Sequence, residues 1–251
     1  MADAPRPLIA GNWKMNGLCE TGRALTQAVV KRWRAADRGK VDLLLCPPAT
    51  LLGMVGEALK GSGILLGAQD CHSEKPGAHT GDIAAVMLAD IGCRFVVLGH
   101  SERRQAHRET DALVRAKVRA AHTAGLTVIL CVGESAAERQ AGRAEAIVGA
   151  QLDGSLPDGA SDKNTVIAYE PVWAIGSGKT PAADDIRAMH AWIRARLGKR
   201  FGGADALRIL YGGSVTSKNA PDILPMPEVN GALVGGASLD AEEFCRIASC
   251  G

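Results

Sequence analysis

The chain alternates short apolar runs with longer stretches in which apolar residues recur at helical spacing. The short runs predict strands, and the longer stretches predict amphipathic helices. Eight strand–helix pairs follow one another, and each pair spans about 30 residues, the size of a parallel βα repeat. The predicted strands are 7–10, 41–46, 64–68, 95–98, 127–132, 166–169, 207–211 and 232–234, and the predicted helices are 21–34, 51–59, 83–91, 111–124, 136–152, 184–197, 220–224 and 241–247.

The predicted strands are almost entirely apolar, as expected for parallel strands that are covered on both faces. No Pro/Ser-rich linker or low-complexity segment divides the 251 residues. Eight βα pairs in this length predict one domain over 1–251, folded as a closed (β/α)8 barrel of parallel strands. An open doubly wound sheet is the alternative, but it usually has fewer strands and a GxGxxG turn after the first. Here the sequence GNWKMN stands at that turn.

Charge and cysteine usage exclude several classes of protein. The net charge of +2 is too close to neutral to suggest a nucleic-acid binder. No apolar run approaches the length of a membrane span, and the first residues, MADAPRPLIAGN, do not resemble a secretory signal. There are seven cysteines and none has CxxC spacing, which disfavours a disulfide framework and a zinc site. A reducing, cytoplasmic location is therefore expected.

In a closed (β/α)8 barrel, the functional residues lie at the carboxyl ends of the strands. There the sequence has Asn12 and Lys14 after the first strand, and GHSERR at 99–104 after the fourth. Gly-Gly pairs at 212–213 and 235–236 follow the last two strands, and the second pair opens onto a helix. One such pair would fit an ordinary tight turn. Two pairs in these two loops favour a phosphate site, because glycine lets backbone N–H groups approach an anion closely.

The segment 168–180, AYEPVWAIGSGKT, joins a carboxylate at a strand end to a loop of large apolar residues and glycines. Pro171 disfavours helical geometry at Glu170, which restricts where that carboxylate can point. Trp173 and Ile175 together with two glycines predict a loop that folds over a pocket and presents N–H groups to it. The plainer alternative is a strand-to-helix connection with an exposed Glu170 and a partly buried Trp173.

The chemistry of these positions predicts proton abstraction next to a carbonyl group. His100 precedes Ser101, the expected helix N-cap, and the positive end of a helix disfavours an imidazolium ion. Glu170 would remove a carbon-bound proton, while neutral His100, Lys14 and Asn12 would stabilise the resulting enediolate. Neither a metal cluster nor a nucleotide fingerprint appears in the sequence, so no cofactor or metal ion is predicted. Structural roles are expected for the histidines at 72, 107, 122 and 190.

Six segments carry a resemblance to a known family: GNWKMN, VVLGHSERR, LCVGES, AYEPVWAIGSGKT, LYGGSV and LVGGASL. Together, over essentially the whole chain, they resemble the triosephosphate isomerase family. The resemblance implies a TIM barrel that interconverts two phosphorylated trioses, D-glyceraldehyde 3-phosphate and dihydroxyacetone phosphate. It also implies a homodimer that needs no cofactor.

The resemblance assigns roles position by position. It implies that Glu170 is the base, His100 the electrophile and Lys14 the essential cation, with Asn12 beside it and Glu102 supporting it. It further implies a lid over 171–179 that brings the Gly176 N–H onto the phosphate and lays Ile175 opposite Leu233. The implied substrate-binding residues are Asn12, Lys14, Gly176, Ser214, Leu233, Gly235 and Gly236.

A loop from Asp70 to Asp82 is longer than a βα connection needs, which predicts an interface loop. By resemblance, its Thr80 reaches the partner subunit near Asn12 and Glu102. The sequence departs from the common family pattern at a few positions, none of which is a predicted catalytic residue. These departures are Ser177 in the lid, His79 and Asp82 in the predicted interface loop, and Asn230.

Two other functions remain as alternatives. A Schiff-base aldolase on the same fold needs a lysine inside a strand near the barrel centre, whereas the sixth strand here ends at Glu170. A non-catalytic protein that binds phosphorylated metabolites would usually have lost the base or the electrophile, and both are present in this chain.

Overall fold

Eight parallel strands close into a barrel in a computed structural model that describes residues 5–35, 40–175, 181–201 and 205–251. Each strand pairs with the next in chain order, and the last pairs with the first. The prediction of a closed (β/α)8 barrel is thus confirmed. The strands are β1 (Leu8–Asn12), β2 (Asp42–Cys46), β3 (Leu65–Ala68), β4 (Phe95–Leu98), β5 (Thr127–Val132), β6 (Thr165–Tyr169), β7 (Ile209–Tyr211) and β8 (Gly231–Val234).

Helices connect the strands. They are α1 (Cys19–Ala35), α2 (Leu52–Leu59), α3 (Ala85–Asp90), α4 (Ser101–Ala106), α5 (Asp111–Thr123), α6 (Ala136–Gln140), α7 (Ala144–Ser155), α8 (Ala183–Phe201), α9 (Ala220–Ile223) and α10 (Ala241–Ala248). Short 3-10 helices cover Ala49–Leu51, Val172–Ala174 and Gly236–Leu239. Among the described residues, none of the helices combines the length and the apolar character needed to cross a bilayer.

The helices differ from the prediction in two places. The single helix predicted over 136–152 is wrong, because α6 and α7 are separate helices. Ser135 and Glu138 form a capping box that starts α6, and Gly142, at φ +67°, turns the chain before α7. In addition, α4 lies between β4 and α5, outside the eight predicted pairs, since its sequence SERRQA has no apolar periodicity to reveal it.

Both faces of the strands are buried, which explains their continuous apolar sequences. Alternate residues fill the barrel interior, among them Leu44, Cys46 and Phe95, and the intervening residues pack against the helices. A side chain at Gly67 would place Cβ 2.8 Å from Cys46 Sγ, so only glycine fits there. Because the strands are parallel and in register, from Asn12 beside Cys46 to Tyr169 beside Tyr211, their carboxyl ends meet at one rim.

Candidate active site

A cavity of about 230 Å³ lies at the carboxyl ends of the strands. The predicted site residues among its lining are Asn12, Lys14, His100, Glu170, Ser214, Leu233, Gly235 and Gly236, and Ile175 lines it too. Glu102 is not part of the lining but contacts Lys14 from the side. Gly176, also predicted to bind phosphate, lies outside the described residues, as does Ser177.

Glu170 follows β6 directly and is 2% exposed. Its backbone N–H donates to the carbonyl oxygen of Val132 at 2.8 Å, which continues the pairing of β5 and β6 by one residue. Its carboxylate oxygen Oε1 lies 2.9 Å from Nε2 of His100. The other oxygen accepts the Ser101 N–H at 2.9 Å, at the start of α4. The carboxylate is thus held between two donors from the loop that follows β4.

His100 itself is the N-cap of α4, so the expectation that Ser101 fills this position is wrong. Its Nδ1 accepts the backbone N–H of Glu102 at 3.3 Å, which leaves the helix starting one residue earlier than expected. A ring that accepts at Nδ1 carries its proton at Nε2, so Nε2–H is assigned to donate to Glu170. This tautomer is the neutral form of the ring.

Opposing forces act on the pKa of His100. Burial lowers it, but the charge of Glu170 and the hydrogen bond to that carboxylate raise it, and the net direction is upward from the ordinary value of 6.5. The helix start was expected to keep the ring neutral through its positive end. The neighbouring carboxylate of Glu170, which follows β6, opposes that effect.

We expect Glu170→Gln to lower the pKa of His100. The substitution removes the larger of the two carboxylate charges that raise the pKa and leaves the smaller contribution of Glu102, whereas burial and the nearby Lys14 cation continue to lower it. NMR titration of ¹⁵N-labelled histidine should show the shift, and Glu57→Gln, at an exposed site paired with Lys60, serves as the control without a shift. Equal His100 titrations in wild type and Glu170→Gln would contradict this electrostatic account.

Lys14 is held in an unusual backbone conformation. Its φ is +54°, in the left-handed region, which costs a non-glycine residue about 1–2 kcal/mol. Two contacts stabilise this conformation: the Lys14 N–H donates to Asn12 Oδ1 at 3.0 Å, and the Lys14 carbonyl accepts from Gln69 Nε2 at 2.9 Å. Its ammonium group is paired with Glu102. The strained turn aims the ammonium into the cavity.

Gln69 was not among the predicted site residues. The same side-chain nitrogen that donates to Lys14 also donates to the Cys46 carbonyl at 2.9 Å, which ties the turn after β1 to the end of β2. Because the Gln69 side chain donates to backbone carbonyls, which every residue has, no local sequence motif reveals its role. Its position just after β3 is the one signal that could have found it.

The two glycine pairs form one wall of the cavity. A Cβ at Gly212 would lie 2.9 Å from Glu170 Cγ, and one at Gly213 would lie 2.2 Å from the Tyr211 hydroxyl oxygen, so neither position tolerates a side chain. A Cβ at Gly235 would lie 3.3 Å from Lys14 Cε. The second pair opens onto the short 3-10 helix Gly236–Leu239, and α10 begins only afterwards.

The segment after Glu170 is anchored by a buried carboxylate that the sequence did not single out. Glu134 Oε1 accepts from the Tyr169 hydroxyl and from Trp173 Nε1, both at 3.1 Å, and it pairs with Arg139 at 3.2 Å. The Arg139 guanidinium lies 5.3 Å from the Trp173 ring centroid. Trp173 is half-buried and tethered. The alternative of a plain connection is wrong because it expected an exposed Glu170, whereas Glu170 is buried. The rest of the predicted lid, 176–179, lies outside the described residues.

Fold and site together define an enzyme of the (β/α)8-barrel class with acid–base side chains and a glycine-walled pocket at the strand ends. Within that class, a family model described as triosephosphate isomerase matches residues 7–250. The chain therefore belongs to the triosephosphate isomerase family.

Individual relatives agree with this assignment. A protein named triosephosphate isomerase from Afipia carboxidovorans is 56% identical over 247 residues, covering 97% of this chain and 96% of the relative. Another so named from Rhodopseudomonas palustris is 56% identical and covers 99% of each chain. The crystal structure of triosephosphate isomerase from Bartonella henselae matches with a TM-score of 0.90 and 46% identity, over 98% of both chains.

Proposed function

We propose that this chain interconverts D-glyceraldehyde 3-phosphate and dihydroxyacetone phosphate by proton transfer through an enediolate. The observation that carries the proposal is the pairing of the Glu170 carboxylate with His100 Nε2 at 2.9 Å. These groups share one cavity with Lys14 and the glycine wall. Membership of the family supports the same reaction.

Glu170 is the proposed base. Its carboxylate turns from the Ser101 N–H to the substrate, takes a proton from the carbon beside the carbonyl, and returns it to the neighbouring carbon. His100 donates its Nε2–H to the substrate oxygen instead of to Glu170, and its neutral form suits it to that exchange. Lys14 and Asn12 stabilise the negative charge that develops on the enediolate oxygens. These roles are the ones known for triosephosphate isomerases, which are a standard example of pKa tuning in catalysis.

The phosphate group is proposed to bind at the wall formed by Ser214, Gly235 and Gly236. Glycine at 235 and 236 leaves room for an anion to reach backbone N–H groups. Gly176 is the fourth proposed donor, delivered by closure of the lid over 171–179, with Ile175 closing against Leu233. The hydrogen bond from Trp173 to Glu134 supports the proposal that the amino-terminal end of the lid stays fixed to the barrel.

A coupled isomerisation assay on the purified chain tests the proposal directly, with Glu170→Ala as the inactive control. An aldolase would instead be trapped covalently by borohydride in the presence of dihydroxyacetone phosphate. That outcome is not expected, because Lys14, the only lysine described in the cavity lining, is paired with Glu102. Phosphate binding without any isomerisation would leave the non-catalytic alternative standing.

We also propose that the chain acts as a homodimer in the cytoplasm. Met15, next to Lys14, is 96% exposed and Leu18 is 75% exposed, and large exposed apolar side chains mark protein interfaces. Loop 70–82 projects from the same rim, and its residues 74–82 are exposed. The base of this loop is joined to α4, since Asp70 pairs with Arg103 at 2.8 Å. Seven free cysteines support the cytoplasmic location.

Shortening the loop by replacing 73–81 with two residues should give monomers. Activity should fall at least about tenfold, because the turn that carries Lys14 would lose its support from the partner subunit. Sedimentation equilibrium measures the assembly, and Lys75→Ala, which removes an exposed charge at constant loop length, is the control. A shortened variant that remains dimeric would contradict the assignment of this loop.

A further inference from the structure

The Gln151 side chain makes two hydrogen bonds to a single residue, Gly133. Its amide oxygen Oε1 accepts the Gly133 N–H at 2.8 Å, and its Nε2 donates to the Gly133 carbonyl at 3.0 Å. A side-chain amide offers the same acceptor and donor as a backbone peptide group. Gln151 therefore pairs with Gly133 in the way that a residue on a neighbouring strand would.

The ends of the strands explain why a side chain takes this place. Gly133 directly follows β5, whose pairing with β4 ends at Leu130. The carbonyls on either side of Gly133, those of Val132 and Glu134, both accept N–H groups from the segment after β6. Because backbone groups of successive residues in a strand point to alternate sides, those of Gly133 point away from β6. Gln151, on α7, meets them there.

Gly133 is also in close contact with the backbone of the proposed base. A Cβ on Gly133 would lie 1.7 Å from the Glu170 carbonyl oxygen and 2.7 Å from its carbonyl carbon. Gly133 is not among the glycines with positive φ, so this contact, and not a left-handed backbone, is what excludes a side chain. A displacement of Gly133 would therefore free the peptide group that carries the Glu170 side chain to move.

A second cavity, of about 240 Å³, lies against this contact. Gly133, Gln151 and Glu170 all line it. Glu170 also lines the active-site cavity, whereas Gln151 is not among the described residues around that cavity. Since this side of Gly133 faces a cavity and not a close-packed interior, the two hydrogen bonds from Gln151 constrain its position more than packing does.

We propose that Gln151 is a positioning residue for the reaction, because it holds Gly133 against the Glu170 backbone and so fixes where the carboxylate lies. The inference rests on the proposed role of Glu170 as the base. The carboxylate lies 2.9 Å from His100 Nε2 and accepts the Ser101 N–H at 2.9 Å, and a shift of the Glu170 backbone would change both distances. A catalytic group misplaced by about 1 Å can cost about 100-fold in rate.

The first test is the kinetics of Gln151→Met, in which an unbranched side chain remains but both hydrogen bonds to Gly133 are lost. We expect kcat to fall about 10- to 100-fold, because the base is misplaced. KM should stay within about threefold of wild type, because Gln151 is remote from the proposed phosphate-binding wall. Gln27→Met, the same change at an exposed position within α1, is the matched control and should behave like wild type.

The second test does not depend on activity. Glu170 raises the pKa of His100 through its charge and through its hydrogen bond to the ring. If the carboxylate is no longer held in place, this contribution weakens, whereas Glu102 and Lys14, the other charged groups that act on the ring, are unchanged. NMR titration of ¹⁵N-labelled Gln151→Met should therefore show a lower His100 pKa than wild type. A purely structural role for Gln151 would lower the thermal midpoint without moving this pKa.

An unchanged His100 pKa in folded Gln151→Met would overturn the proposal, as would a kcat within about threefold of wild type. If Gln151→Met does not fold, Gln151→Asn replaces it in both tests, since its amide is one methylene shorter and cannot reach both Gly133 groups. A wild-type chain without isomerase activity would refute the proposed function, and the His100 titration would still decide whether Gln151 positions Glu170.

Discussion

Glu170→Asp is expected to lower kcat on the order of 100-fold while leaving the fold and ligand binding intact. The shorter side chain retracts the carboxylate by about 1 Å from the reacting carbon, and a misplacement of that size has this cost. Compensation by backbone movement is blocked. A Cβ on Gly133 would lie only 1.7 Å from the Glu170 carbonyl oxygen, so the backbone segments at Gly133 and Glu170 are already in close contact. The Glu170 N–H is also fixed to Val132.

The measurement is the coupled isomerisation rate in both directions, together with the thermal midpoint of each variant. Glu57→Asp is the matched control, because it makes the same change at an exposed helical site paired with Lys60. It should match wild type in rate. If Glu170→Asp kept activity within about threefold of wild type, the lost activation free energy would be below about 1 kcal/mol and Glu170 would not be the base.

Lys14→Met is expected to lower kcat/KM by about 100- to 1,000-fold, the range found when one preorganised electrostatic group is removed from an active site. Lys14 is the only lysine or arginine among the described residues that line the cavity, so no other fixed cation there can replace it. Methionine keeps most of the unbranched stem and removes the charge. Because the ammonium would contact both the bound substrate and the enediolate, KM should rise and kcat should fall.

Steady-state kinetics of Lys14→Met should be compared with those of Lys60→Met, an equivalent change at a lysine paired with Glu57 on the surface. Lys60→Met should behave like wild type. Lys14→Arg keeps the charge but replaces a compact ammonium with a planar guanidinium group. Its kcat/KM should lie between those of wild type and Lys14→Met. If kcat/KM of Lys14→Met were within tenfold of wild type, the Lys14 cation would not have the proposed role in the mechanism.

The sequence alone determined the barrel and the rim on which the site lies. Strands buried on both faces must be continuously apolar, and helices on a barrel surface must be amphipathic, so both elements leave a local pattern. Once eight pairs are recognised, parallel topology puts every residue that follows a strand at the same rim. That is why Glu170, His100 and Lys14 could be proposed as neighbours although they are far apart in the chain.

Only the tertiary structure decided how those groups act on one another. The Gln69 side chain reaches the Lys14 carbonyl across 55 positions of sequence. Glu134 accepts a hydrogen bond from the Trp173 side chain across 39 positions of sequence. The upward pKa shift of His100 depends on the carboxylate of Glu170, which follows a different strand. Hydrogen bonds and charges act through space over a few ångströms, whereas local sequence patterns report only on neighbours within a turn or two of chain.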